Sequence, residues 1–122
     1  MAAPNIVSVS SIYGRTKGAA LDTTLTTSLL TCAANKVLKI NTIIVSNVDG
    51  TNNADATISF YDSSATATYK LANTITVPAD STLVVISKDT AIYLEESDEI
   101  RGGASAASDL EVVISYEELD DA

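Results

Sequence analysis

The densest group of acid side chains in the chain is Glu95, Glu96, Asp98 and Glu99. Paired carboxylates are what glycoside hydrolysis needs, held about 5–10 Å apart on either side of a sugar. No aromatic cluster accompanies this group to line a sugar cleft, and it falls where one strand is expected to turn into the next, so it reads as a solvated corner. The same corner offers oxygen ligands for Ca²⁺, as does Asp49-Gly50-Thr51-Asn52-Asn53-Ala54-Asp55. Neither matches an EF-hand loop, whose ligands alternate ahead of an essential Gly and end in a distal Glu. Asp, Asn and Gly are also what a tight turn demands, and Ca²⁺ binding at the two acidic loops is left open.

Nucleophilic chemistry has little to draw on. Histidine is absent, which removes the commonest general base, proton shuttle and neutral metal ligand. The single thiol, Cys32, follows Leu29-Leu30-Thr31, with no basic residue nearer than Lys36. A reactive thiolate needs an electropositive setting, so Cys32 reads as buried and inert. Gly102-Gly103 opens no helical segment and cannot cradle a phosphate at a helix start. The pair reads instead as a bulge or a close backbone approach. No catalytic, cofactor-binding or metal-ligating residue is assigned, no cofactor is expected, and the chain reads as a non-enzyme.

Charge narrows the partners. Sixteen acidic residues against seven basic ones give the 122-residue chain a formal charge of −9. Such a surface repels phosphates and anionic lipid, so neither direct nucleic-acid binding nor a membrane is expected. The longest apolar run, Leu83-Val84-Val85-Ile86, is far too short for a membrane span. The opening Met1-Ala2-Ala3-Pro4-Asn5 lacks the basic and apolar regions of a secretory signal. A soluble protein made in a reducing cytoplasm is the expectation, consistent with one cysteine and no possible intrachain disulfide.

The elements that must position these residues read as strands. Thr, Val, Ile, Ser and Ala dominate, and β-branched side chains suit a pleated, half-buried surface. Ile6 to Tyr13 reads as a first strand ending at Gly14, followed by a loop from Arg15 to Asp22. A second strand falls within Thr23 to Ala33, and a long third runs from Lys36 to Val48. In that third strand Leu38, Ile40, Ile44 and Val48 share one parity while Val37, Ile43 and Val45 share the other. Such mixing predicts a central strand covered on both faces, or a bulge that changes the inward face midway. Asp49 to Asn53 is the strongest turn signal. Beyond it, Ala56, Ile58 and Phe60 form an apolar face, and a returning strand spans Thr66 to Leu71. A short strand from Thr74 to Val77 is stopped by Pro78. Ser81 to Lys88, Ala91 to Leu94 and Ile100 to Ala104 follow. In the last strand Leu110, Val112, Ile114 and Tyr116 alternate with Glu111, Ser115 and Glu117, and the acidic tail 118–122 is expected to fray. Eight or nine short strands predict one all-β domain spanning residues 1–122, an antiparallel β-sandwich with a jelly-roll-like second half.

Three runs carry a family resemblance: "IIVSNVDGTNNADATISFYD", "ITVPADSTLVVISKDTAIYLEESDEIR" and "LEVVISYEEL". With the opening "NIVSVSSIYG", they resemble small virion structural proteins of tailed phages, especially marine and cyanobacterial ones. The likeness spans about Lys36 to Leu119 and rests on texture and turn phrases. It implies a β-sandwich assembled on the particle, in first place a capsid decoration (cement) protein that binds the major capsid protein and is incorporated in the virion after assembly in the host cytoplasm. The head, neck, tail and fibre are all compatible with it, and it supplies no catalytic residues.

A decoration protein needs gripping parts and a self-contact, so a homo-oligomer, with a trimer as the first guess, is expected. The short N-terminal arm 1–5, with Pro4 and Asn5, and the stretch carrying Tyr13, Arg15 and Lys17 are the candidate contact residues. The alternatives are a neck, tail or fibre component and, from another class, a glycan-binding jelly-roll module for host attachment. The shortage of aromatics, five Tyr, one Phe and no Trp, weighs against the last.

Overall fold

A computed structural model describes residues 7–120. The described residues form nine strands: β1 (Ser11–Ala20), β2 (Ser28–Thr31), β3 (Lys36–Asn47), β4 (Ala54–Asp62), β5 (Ala67–Val77), β6 (Thr82–Ile86), β7 (Ile92–Leu94), β8 (Glu99–Ala104) and β9 (Leu110–Asp120). A single 3-10 turn, Lys88–Thr90, separates β6 from β7. The strands make two antiparallel sheets. The first has the order β1-β9-β3-β6, with β7 pairing the other half of β3, and the second has the order β2-β8-β4-β5. One hydrophobic cluster joins them: Leu38, Ile40, Ile43, Val45, Val112 and Ile114 from the first sheet meet Leu30, Ala56, Ile58 and Ile100 from the second. The chain is therefore an all-β sandwich, as its strand-rich composition predicts.

Of the two expected causes of the third strand's mixed parity the bulge is the one present, since the outer face of the strand, carrying Ile44, stays half-exposed. β3 is central, with β9 on one side and β6 and β7 sharing the other. It also carries a bulge at Asn41, because Ile40 pairs with Tyr116 and Thr42 with Ser115. An extra residue flips the pleat. Leu38 and Ile40 point into the core ahead of it, and Ile43 and Val45 after it. Asn41 Nδ2 secures the bulge by donating to Glu117 Oε2 at 2.9 Å.

Buried Asn47 ties the end of β3 to the other sheet. Its amide donates to the carbonyls of Asn52 and Val77, both at 2.9 Å, and its Oδ1 accepts from the Asp49 N–H. Asp49 in turn accepts from the Thr51 and Asn52 N–H groups, so the expected turn is an Asx-type turn locked by two side chains.

Three expectations are corrected. The first strand is Ser11–Ala20 in place of Ile6 to Tyr13, and the stretch from Arg15 onward is strand, not loop. All ten residues of β1 pair with β9, and neither Gly14 nor Gly18 takes a positive φ, so these glycines break nothing. Thr66 to Leu71 and Thr74 to Val77 belong to one strand, β5, whose pairing with β4 shifts register where Thr74 turns to φ 54°. Residues 118–120 of the acidic tail are strand as well. Glu118 and Asp120 flank Lys36 Nζ at 3.0 and 2.8 Å, so their charges are compensated by a cation on β3. The arm 1–5, with Pro4 and Asn5, and residues 121–122 lie outside the described residues.

Candidate interaction surfaces

The acidic corner is built into the fold by its hydrogen bonds. Asp98 is buried at 3% exposure. Its Oδ1 accepts from the Ser63 N–H at 2.9 Å and its Oδ2 from the Glu95 N–H at 3.0 Å. Its carbonyl takes the Cys32 N–H. Glu96 accepts from the Asn35 N–H at 2.7 Å, where Asn35 holds a left-handed φ of 65° between β2 and β3. Glu99 pairs with Arg101 at 2.9 Å, and this contact, outweighing some burial, lowers its pKa. Arg101 also lies over the Tyr61 ring, 3.7 Å from the centroid. Three of the four carboxylates thus accept backbone N–H groups at turns or pair with a neighbour on their own strand. Among the described residues no three His, Cys, Asp or Glu side chains gather as a metal-ligand set.

Cys32 is 1% exposed, and its thiol points at the Lys36 carbonyl, 3.2 Å away. Burial, reinforced by the charges of Asp98, Glu96 and Glu118 and opposed by the Leu38 backbone hydrogen bond, raises its pKa to about 11. It is a packing residue held as the neutral thiol at physiological pH. Gly102 and Gly103 mark close backbone approaches. A Cβ on Gly102 would sit 2.5 Å from the Thr57 carbonyl oxygen, and one on Gly103 2.5 Å from that of Thr24. On the outer side of the second sheet the buried Ser59 Oγ has no hydrogen-bond partner among the described residues.

Two exposed surfaces remain. The first is the row Tyr13, Arg15 and Lys17 on β1. Their cross-strand partners are Glu118, Tyr116 and Ile114, so they carry the core-facing parity, yet they stay exposed because β1 is the sheet's edge. Arg15 reaches Glu118 at 3.3 Å and lies 5.3 Å from the Tyr13 ring centroid. Inward-pointing charges on an edge strand are a known guard against edge-to-edge pairing. The predicted contact residues Tyr13, Arg15 and Lys17 are thus brought together, on a strand instead of a loop.

The second surface was not singled out from the sequence. Across the outer face of the first sheet, Gly18, Val113, Ile44 and Val84 fall in one cross-strand row over β1, β9, β3 and β6. Val84 is 58% and Val113 43% exposed. The rows on either side are Thr16, Ser115 and Thr42, and Ala20, Glu111, Ser46 and Thr82. Glu111 is the one charge among these eleven residues. A shallow depression of about 290 Å³ opens beside Val113, where Gly18 and Ala20 on β1 leave room and Glu111 forms part of the rim. The signal in the sequence was the failure of alternation at Val112-Val113 and through Leu83 to Ile86, where an outward-facing position is apolar.

The exposed tyrosines do not gather: Tyr13 is on β1, Tyr69 on β5 and Tyr93 on β7. No helix among the described residues is long and apolar enough to cross a membrane. No protein-family model, curated protein or solved structure matches the chain.

Proposed function

We propose that this chain is a non-enzymatic assembly subunit, a virion structural protein that works as a capsid decoration (cement) protein and binds the major capsid protein. The observation that carries the assembly reading is the division of the surface. Three of the four acid side chains at the corner, and Cys32, are occupied in capping turns, pairing or packing, whereas an exposed basic ledge and a nearly uncharged sheet face stand open. The ledge is the contact for the particle. Arg15, Lys17 and Lys36 supply three positive charges there against two negative ones from Glu118 and Asp120, a local excess of one on a chain of net charge −9.

The strand order supports a jelly-roll reading of the sandwich. The order β1-β9-β3-β6 opposite β2-β8-β4-β5 agrees with two Greek keys when β6 and β7 are taken to share one position. The capsid assignment rests on the family resemblance of the Lys36–Leu119 runs. Image reconstruction and copy counting on purified particles test it. Hundreds of copies are expected for a head protein, whereas about six to a few dozen would move it to the neck, tail or a fibre, and its absence from particles would refute the virion reading. Arg15→Ala with Lys17→Ala should lower occupancy on particles. Unchanged occupancy would show that the ledge is not the grip.

A further inference from the structure

The outer face of the first sheet is self-complementary, and we propose that it pairs with the same face of a second copy of this chain about a two-fold axis. Three observations lead there. The row Gly18-Val113-Ile44-Val84 has a protrusion at one end and a hollow at the other. Val84 on the edge strand β6 is the most exposed side chain of the row, and the depression lies at the opposite edge, where Gly18, Ala19 and Ala20 of β1 run beside Glu111, Val112 and Val113 of β9. In an isologous contact, residue i of one copy meets residue j of the other and the reverse holds as well. A two-fold axis between Val113 and Ile44, the midpoint of the row, therefore sets each Val84 into the other copy's depression.

Charge selects a second copy as the occupant. Two molecules of net charge −9 repel one another over most of their surfaces. The whole outer face of this sheet carries Lys39, Glu117 and Glu111, a sum of −1, which leaves −8 elsewhere. Identical copies meet there with the least repulsion, while a basic partner would be drawn to the acidic remainder. The area is sufficient. β1, β9 and β3, ten to twelve residues each, with the eight residues of β6 and β7 filling the fourth position, present at most roughly 650 Å² per copy at about 4.8 Å between strands and about 3.4 Å per residue. Roughly 1,300 Å² for the pair lies at the lower end of specific interfaces.

The test is sedimentation equilibrium of the full chain from micromolar to millimolar concentration, with three variants. The wild type should dimerise, and more tightly as salt screens the residual repulsion. Val84→Glu sets a carboxylate beside Glu111 of the other copy and should weaken the dimer about tenfold or more. Val84→Lys sets an ammonium there and should weaken it less, and Val84→Glu with Glu111→Lys should recover most of the loss. Unfolding curves confirm that these exposed substitutions leave the fold intact. A wild type that stays monomeric overturns the proposal, as does a dimer that Glu and Lys at position 84 weaken equally or not at all. A monomer whose Val84→Glu form no longer occupies particles gives this face to a capsid subunit and refutes self-pairing, while the virion reading stands. A charge-selective dimer from a chain absent from particles does the reverse.

Discussion

Replacing Asp98 with alanine is the sharpest test of whether the acidic corner is architecture. The side chain is almost fully buried, and its two oxygens receive the N–H groups of Ser63 and Glu95 at 2.9 and 3.0 Å. Asp98→Ala strands both donors. A buried donor left unsatisfied costs about 1–3 kcal/mol, and because both bonds are only part-buried, the lower half of that range applies, giving about 2–4 kcal/mol for the pair. That is a large share of a typical domain stability of about 5–15 kcal/mol. Asp98→Asn keeps one acceptor and turns an N–H towards the other donor, so about half the loss is expected. Glu95→Ala is the control: it removes a neighbouring charge from an exposed side chain and should stay within about 0.5 kcal/mol. Urea unfolding followed by far-UV circular dichroism and tyrosine fluorescence measures all three, since the chain has no tryptophan. If Asp98→Ala cost no more than Glu95→Ala, the corner would be an acidic cluster without a structural task. A wild-type midpoint that climbed with added Ca²⁺ would show the carboxylates free to gather a cation, which also contradicts the reasoning.

Other consequences follow from the same geometry. Cys32, buried and with its pKa raised to about 11, should react with a thiol reagent at pH 8 only as fast as the protein opens. Rapid labelling under native conditions would contradict its burial. Burial acts to raise the Glu118 pKa, but hydrogen bonds and charge from Lys36 and Arg15 outweigh it and hold the value below the ordinary 4.5. A depressed carboxylate stabilises the fold above its unfolded pKa, and that stabilisation is lost as pH falls below 4.5 through the folded value. Glu118→Gln should therefore lower the melting temperature at pH 7, with the gap narrowing as pH falls from 4.5 through the folded value; a gap that did not narrow in acid would show that the charge is not its source. Gly103→Ala places a methyl group 2.5 Å from the Thr24 carbonyl oxygen and 2.9 Å from that of Asp22, backbone atoms that can yield only by lifting the segment. A loss of about 3 kcal/mol, with faster hydrogen exchange at Ala104, whose N–H donates to Asp22, is expected. An unchanged exchange rate would show that the segment gives way without losing this bond.

The sandwich was legible because its signals are local. The Asp49-Gly50 turn, the inward row Leu110, Val112 and Ile114 at every second residue and the mixed parity of β3 each follow from the two-residue pleat or from turn chemistry. β1 was misread for a physical reason. At an edge, most side chains face water on both sides, so Ser11–Ala20 has no apolar alternation, and its two glycines resemble loop residues. Its strand character resides in ten pairings with β9, about a hundred residues away. The tail was misread likewise, because the cation that compensates Glu118 and Asp120 is Lys36, more than eighty residues earlier. Of the candidate surfaces, the ledge was found by charge alone. The sheet face was missed because Val113, Ile44 and Val84 come from three separate strands, and only pairing register brings them into a row.

That register also bears on why association should use a face and end at two copies. A sandwich has four sheet edges, and continuous pairing along any of them would build open arrays. Here each edge is obstructed. β1 presents Arg15 and Lys17, which would oppose their own counterparts in an antiparallel pair. β2 has four residues. β5 loses its regular register near Thr74 and is followed directly by Pro78. The fourth edge is divided into β6 and β7 by the Lys88–Thr90 turn. With strand addition blocked on all sides, the nearly neutral outer face offers the contact of least repulsion. Because its protrusion and hollow lie at opposite ends of one row, that contact consumes itself on pairing and leaves no copy of the surface free to recruit a third molecule.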